Sequence, residues 1–177
     1  TQWSFQFAYQ AMPDYYDDLV NGVPRPAGTD DYLQLRIVAP IPLKNLTILP
    51  RLTLRHYENS AGQSGMGNTE LFALIIPGFS DWGTGRAGIG PLVTLPGNKN
   101  VAKDEWGYGL AGAWVQNTGN FFYGILLTQS FRAIDPAALP EGTNTDANPL
   151  GIAPFVNYRF GTSGWYVQTA DIVAQYS

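Results

Sequence analysis

The sequence predicts an all-β chain, an antiparallel up-and-down transmembrane β-barrel domain over residues 1–177, and three observations predict it. Polar and apolar residues alternate with period two in run after run, while helical periodicity is nearly absent. The runs are about ten residues or a little more, which spans a bilayer when tilted, whereas soluble strands average about five or six. Long and short connections alternate along the chain, gathering the long ones at one end of the strands, as in outer-membrane barrels.

The first run, near 2–12, opens with QWSFQFAYQ. Trp3, Phe5, Phe7 and Tyr9 share one face; Gln2, Ser4, Gln6, Ala8 and Gln10 share the other. A half-buried soluble strand turns its apolar face to a core and its polar face to water. A membrane barrel inverts this, with rings toward lipid and amides toward a wet lumen. The second run, 31–43, sets Leu33, Leu35, Ile37, Ala39, Ile41 and Leu43 against Gln34, Arg36 and Val38. After a tight turn at Lys44-Asn45, the third, 46–57, sets Ile48, Pro50, Leu52 and Leu54 against Arg51, Thr53, Arg55 and Tyr57.

The fourth run, 67–79, leads through GFSDWGTG at 78–85 into the fifth, 83–95. There Ala87, Ile89, Pro91, Val93 and Leu95 oppose Arg86, Gly88, Gly90 and Thr94. NTGN at 117–120 joins the sixth and seventh runs, 105–116 and 120–132, and GTSG at 161–164 joins the eighth and ninth, 150–160 and 164–176. That leaves long links at 13–30, 58–66, 96–104 and 133–149. The second face, mixing Arg, Thr, Gln and Gly, suits a hydrated lumen better than a soluble core. Pro50, Pro91 and Pro154 fall inside runs and lack the ladder donor, so bulges or local breaks are expected there.

Aromatics gather toward both strand ends. Trp3, Phe79, Trp82, Phe121, Phe122, Phe160 and Trp165 lie near the short turns; Tyr32, Tyr57, Trp106, Phe131 and Tyr176 lie near the long loops. Two such bands are expected where amphipathic rings sit at headgroup level.

Composition agrees. Only 14% of residues are charged, below the roughly 25% of soluble domains, and no apolar run reaches the about 18 residues of a transmembrane helix. The mean hydropathy is -0.11. A net charge of -4 leaves no basic stripe for nucleic acid. With no Cys there is no disulfide framework and no thiolate metal site.

Four blocks then carry a family likeness: GMGNTELFALIIP, WGTGRAGIGPLVTLPG, NTGNFFYGILLTQSF and PFVNYRFGTSGWYV. Together they make residues 30–177 resemble the outer-membrane barrel family named for meta-pathway phenol degradation, whose members also go by the plain name transporter. The resemblance implies a barrel that admits hydrophobic or aromatic compounds across the outer membrane of a Gram-negative bacterium, with no chemistry and no cofactor. Where the family has Gly-x-Gly-Asp this chain has Gly65-Met66-Gly67-Asn68, losing a loop-end carboxylate. Family barrels continue for about three further strands, and bacterial barrels have even strand numbers. A barrel of roughly twelve strands, with the C-terminal ones lacking here, is therefore expected.

Candidate sites are few. His56 in HYENS, with Ser60, invites a hydrolase reading, but a nucleophile needs an oriented base. Nothing here supplies the spacing, so an interfacial His and no catalysis are expected. The acidic segments at 13–18, 28–31 and 144–148 could gather Ca²⁺ through clustered oxygens. None has ordered ligand spacing, and solvated loop charge without a metal is expected.

The sharpest feature is an arginine set on the lumen face. A turn at 44–45 puts Arg36 opposite Thr53, with Arg51 and Arg55 flanking it. Glu70 is expected near Arg55, Arg86 further round, and Gln6 on the same wall. Such residues brace a wall through ion pairs, and Arg rings also select anions. The reading is an outer-membrane channel for small aromatic or hydrophobic solutes, its partners being lipid and solute. A secreted soluble β-barrel or sandwich that binds a ligand inside is one alternative. An outer-membrane component of a larger envelope assembly, with protein partners, is another.

Overall fold

The computed structural model describes residues 3–12, 19–20, 23–24, 30–58, 62–102, 104–131, 150–161, 165–169 and 174–176. Eight long strands follow one another: β1 Ser4–Met12, β2 Asp30–Val38, β3 Leu46–Glu58, β4 Thr69–Pro77, β5 Gly85–Leu95, β6 Gly107–Thr118, β7 Phe121–Phe131 and β8 Leu150–Arg159. The ninth position, β9, is held by two short pieces, Tyr166–Gln168 and Ala174–Tyr176, both paired to β8. Among the described residues there is no α-helix, only a single 3-10 turn at Gly78–Ser80. Each strand pairs antiparallel with the next in chain order. The result is an all-β meander curled into a half-barrel. Its two edges, β1 and β9, are not paired to each other among the described residues.

Long apolar-polar alternation sets these strands, and local chemistry ends them. Gly119 holds φ at 57°, the positive value that primed two-residue hairpins need, and Thr118 pairs Phe121 across the turn. Pro40 interrupts β2, and the strand resumes at Ile41–Pro42 in the same register against β3. The long links fall at one end. Two of them pack on each other: Asn98 N–H donates to Met66 C=O at 2.7 Å, and the Asn68 amide donates to Leu95 C=O at 3.0 Å. A carboxylate at position 68 could not make that donation.

Local breaks occur at two of the three prolines, and on one side only. Pro50 pairs Ala73 and Pro154 pairs Ile125 within unbroken ladders. Pairing lapses between Phe72↔Leu92 and Ile75↔Ile89, opposite Pro91, which still pairs Leu110 on its other side, and between Val38↔Arg51 and Ile41↔Ile48, on the β2 side of Pro50. An antiparallel residue aims its N–H at one neighbour only, so a proline deletes one bond while the other neighbour keeps the register.

Register divides the chain into two faces. Phe72, Leu74, Leu92 and Ala111 are buried together on the inner face, with Leu49, Ala113 and Leu126 packed against them. Burying a side chain of this size is worth roughly 1.5–3 kcal/mol. The other face is apolar and open: Phe7 is 75% exposed and Ile89 61%, with Trp3, Phe5, Leu33 and Leu71 also exposed. Phe121, Tyr158 and Phe160 pack tilted and edge-to-face in succession at its short-turn end, at 4.9 and 5.1 Å between ring centroids. Tyr108 and Phe131 meet at 6.3 Å near the long-loop end. Three rings expected in these bands lie elsewhere. Tyr32 and Tyr57 share the parity of Arg36 and Arg55 and pack together on the inner face, and Phe122 packs on Phe155 there.

Glycine lets the strands approach where the sheet bends. A Cβ on Gly90 would stand 1.8 Å from Ala73 O, and one on Gly109 1.9 Å from Gln129 O. Gly109→Val and Gly90→Val should each destabilise the fold by about 2 kcal/mol or more, read from denaturant midpoints of tryptophan fluorescence. Gly119→Asn, where nothing lies within 4 Å and Asn tolerates the left-handed backbone, should stay within about 1 kcal/mol. Equal loss in all three would show that close approach is not what these glycines supply.

Candidate functional site

The inner faces of β1 to β4 carry the charge. Reading across the sheet, Gln6 pairs Arg36, Arg36 pairs Thr53 and Thr53 pairs Glu70. One step toward the long loops, Gln34 pairs Arg55; one step toward the short turns, Arg51 pairs Phe72. Period two puts all of these side chains on one face.

Each guanidinium finds a cross-strand partner. Arg51 Nη2 lies 2.9 Å from Glu70 Oε1, and the Arg51 guanidinium rests 4.3 Å from the centroid of the Phe72 ring. The two charged side chains are only 16% and 23% exposed, so this pair is largely out of water. Arg55 Nε donates to Gln34 Oε1 at 2.8 Å, and Gln34 is itself 5% exposed. Arg36 Nη1 donates to Gln6 Oε1 at 3.3 Å. Beyond them Tyr32 donates its hydroxyl to Gln10 Oε1. Thr53 is fully buried at the centre, and its Oγ1 meets no hydrogen-bond partner among the described residues.

One expected placement changes. Glu70 bonds Arg51, not Arg55, although it stands opposite Thr53 between them. Phe72, directly opposite Arg51, supports that guanidinium from below, while Arg55 is taken by Gln34 directly across its own hairpin. Arg86 stands further round, on the inner face of β5. It sits at the short-turn end, 3.8 Å from Asp81, with the two side chains 50% and 40% exposed. Gln34, Tyr32 and Phe72 complete the site without having been singled out beforehand. The register from the 44–45 turn places the first two opposite Arg55 and Tyr57.

The inner wall is thus asymmetric. Among the described side chains, three arginines and one glutamate make β1 to β4 net positive there, in a chain whose overall charge is -4. From β5 to β8 the same face is mostly small and apolar, at positions such as Gly90, Leu92, Ala111, Leu126 and Ala153, with Arg86 at its short-turn end. Guanidiniums on this wall can hold a carboxylate bidentately and can stack on a ring.

His56 is exposed on the outer face, opposite Leu33 on β2 and Met66 beside it. Ser60 lies outside the described residues, as do the acidic segments 13–18, 28–29 and 144–148. Asp31, at the start of β2, accepts the Tyr9 hydroxyl at 2.6 Å. Among the described residues no three His, Cys, Asp or Glu side chains gather as a metal site would require. The chain matches no protein-family model, no curated protein and no solved structure.

The Arg51–Glu70 pair can be weighed by a double-mutant cycle. Glu70→Gln should destabilise by about 2 kcal/mol, because it leaves Arg51 largely buried without its counter-charge. Arg51→Met with Glu70→Gln together should cost less than the sum of the single changes, with a coupling of about 1–3 kcal/mol. Additive effects would mean that the pair contributes nothing of its own.

Proposed function

We propose that this chain forms the wall of an outer-membrane channel, in a Gram-negative bacterium, for small aromatic or hydrophobic solutes. The observation that carries the proposal is the outer face. Residues from β1 through β8, among them Trp3, Phe7, Leu33, Ile75, Ile89 and Leu127, are apolar and exposed on a single side of a sheet. Soluble monomers rarely expose a contiguous apolar patch beyond a few hundred Å². Lipid is the surrounding in which such a face costs nothing, and aromatic rings packed toward both strand ends match the interfacial girdles of barrels.

The inner face supports passage. Its polar wall offers amide donors and guanidiniums, and its apolar wall offers a surface for rings and aliphatic groups. Glu70 neutralises part of the positive charge, which favours release as well as capture, and conduction requires both. The family likeness of the blocks at 65–77, 82–97, 117–131 and 154–167 points to the same solute class and to a closed barrel of about twelve strands. In this reading Arg36, Arg51 and Arg55 contact solute, and no bond is made or broken.

A chain without cysteine gives a clean background for labelling. In lipid vesicles, a membrane-impermeant thiol reagent should modify Gln6→Cys, Arg36→Cys and Arg51→Cys and spare Leu35→Cys, Leu52→Cys, Ile89→Cys and Val93→Cys. The reverse pattern would sink the channel reading. So would a folded protein that stays monodisperse in buffer without detergent, which is the outcome a soluble ligand-binding barrel requires.

Conductance tests the solute class. Reconstituted protein should prefer anions, and Arg36→Ala or Arg51→Ala should lower that preference and the uptake of aromatic acids several-fold. Indifference to both changes in a protein that still folds would leave these arginines as wall braces.

A further inference from the structure

A cavity of about 220 Å³ opens on the inner face near the short turns, apart from the arginine set. Leu49, Leu74, Ile76, Ala113, Val115 and Phe122 wall it, and Arg86 lines it from β5. The space exists because small residues face each other across β5 and β6. Gly88 pairs Ala113, and a Cβ on Gly88 would already stand 2.7 Å from Ile76 Cγ1. At Gly88 a side chain would collide with Ile76, whereas a larger residue at Ala113 would fill the space.

Size and lining define what fits. A dry cavity of about 150 Å³ lined by Leu, Ile and Phe is enough to take benzene. The cavity here is somewhat larger, so it holds one substituted ring. Its lining includes one cation and no carboxylate. Asp81 stands outside: its Oδ1 accepts Gly83 N–H at 3.1 Å within the turn, and its Oδ2 is 3.8 Å from Arg86, longer than a hydrogen bond. The Arg86 guanidinium has five donors in a planar fork, enough to keep Asp81 nearby and receive a second carboxylate.

We infer that this cavity is a binding site for a compact apolar monoanion about one ring in size, its ring among Leu74, Ile76, Ala113 and Phe122 and its carboxylate on Arg86. The site is independent of the channel reading, since binding needs only the folded inner face. Binding can therefore fail while passage through the barrel holds, and the reverse.

The test uses the whole folded chain and three soluble probes of one size: benzoate, benzyl alcohol and benzylammonium. Calorimetric titration should rank benzoate first and benzylammonium last. Arg86→Gln should weaken benzoate by about tenfold, to the level of benzyl alcohol, and leave benzyl alcohol within about twofold. Ala113→Leu, which fills the space, should weaken benzoate and benzyl alcohol together by about tenfold; Val115→Phe does the same from the adjacent row if the first variant does not fold. Benzoate bound no better than benzylammonium would overturn the charge assignment. Affinities unmoved by either filling variant would overturn the site itself.

Discussion

The ladder of backbone hydrogen bonds that holds the strands in a common register is the constraint on which everything else rests. Side chains alternate across each strand, so a slip of one residue in the β2–β3 hairpin would separate Arg36 from Arg51 and Arg55 onto opposite faces. The faces stay sorted because the register runs without offset from Ser4↔Val38 through the pairs of β3, β4 and β5 to Gln129↔Leu150. Even the prolines are fitted to it. Each removes one donor while the neighbour on its other side holds the count, and Pro91 opens only a short gap against β4. The polar wall and the apolar outer face are two consequences of one count.

Strand positions were legible in the sequence because period two is a strong signal over long runs. The run near 46–57 and β3 at Leu46–Glu58 agree almost residue for residue, and Arg36 opposite Thr53 follows from the turn at Lys44-Asn45 alone. What was not legible depended on directions that alternation does not carry. Glu70 stands between Arg51 and Arg55, and the choice of Arg51 was made by Phe72, which holds the guanidinium from below. Tyr32 and Tyr57 look like girdle residues by their nearness to strand ends, but their parity places them inside. Position along a strand and side of a strand are separate questions, and only the second is settled by counting.

The inner face is divided along its width. Polar contacts on β1 to β4 link neighbouring strands through side chains: Gln6 to Arg36, Gln34 to Arg55, Arg51 to Glu70. On β5 to β8 backbone pairing and apolar packing dominate, with Arg86 near Asp81 at the short-turn end. In the proposed channel a solute would meet donors and cations on one side and mostly hydrocarbon on the other, which suits molecules that are themselves amphipathic. A wall of one kind would either repel the apolar part or fail to orient the polar one.

The same small residues connect curvature to the cavity at Arg86. Gly90 and Gly109 sit on the inner face where backbones approach so closely that a Cβ would strike a carbonyl. Gly88, one inward-facing step from Gly90, still lies against Ile76, and Ala113, two such steps from Gly109, leaves volume unfilled beside it. A sheet that bends inward crowds its concave side, and glycine is what relieves the crowding. Relief beyond what backbone contact demands leaves space. The hollow therefore forms where small residues continue past the point of closest approach, and Arg86 stands at its edge because the strand begins there, one residue after Gly85. Bending and hollow are set by one short stretch of β5, and a change made there for stability would also alter what the inner face can hold.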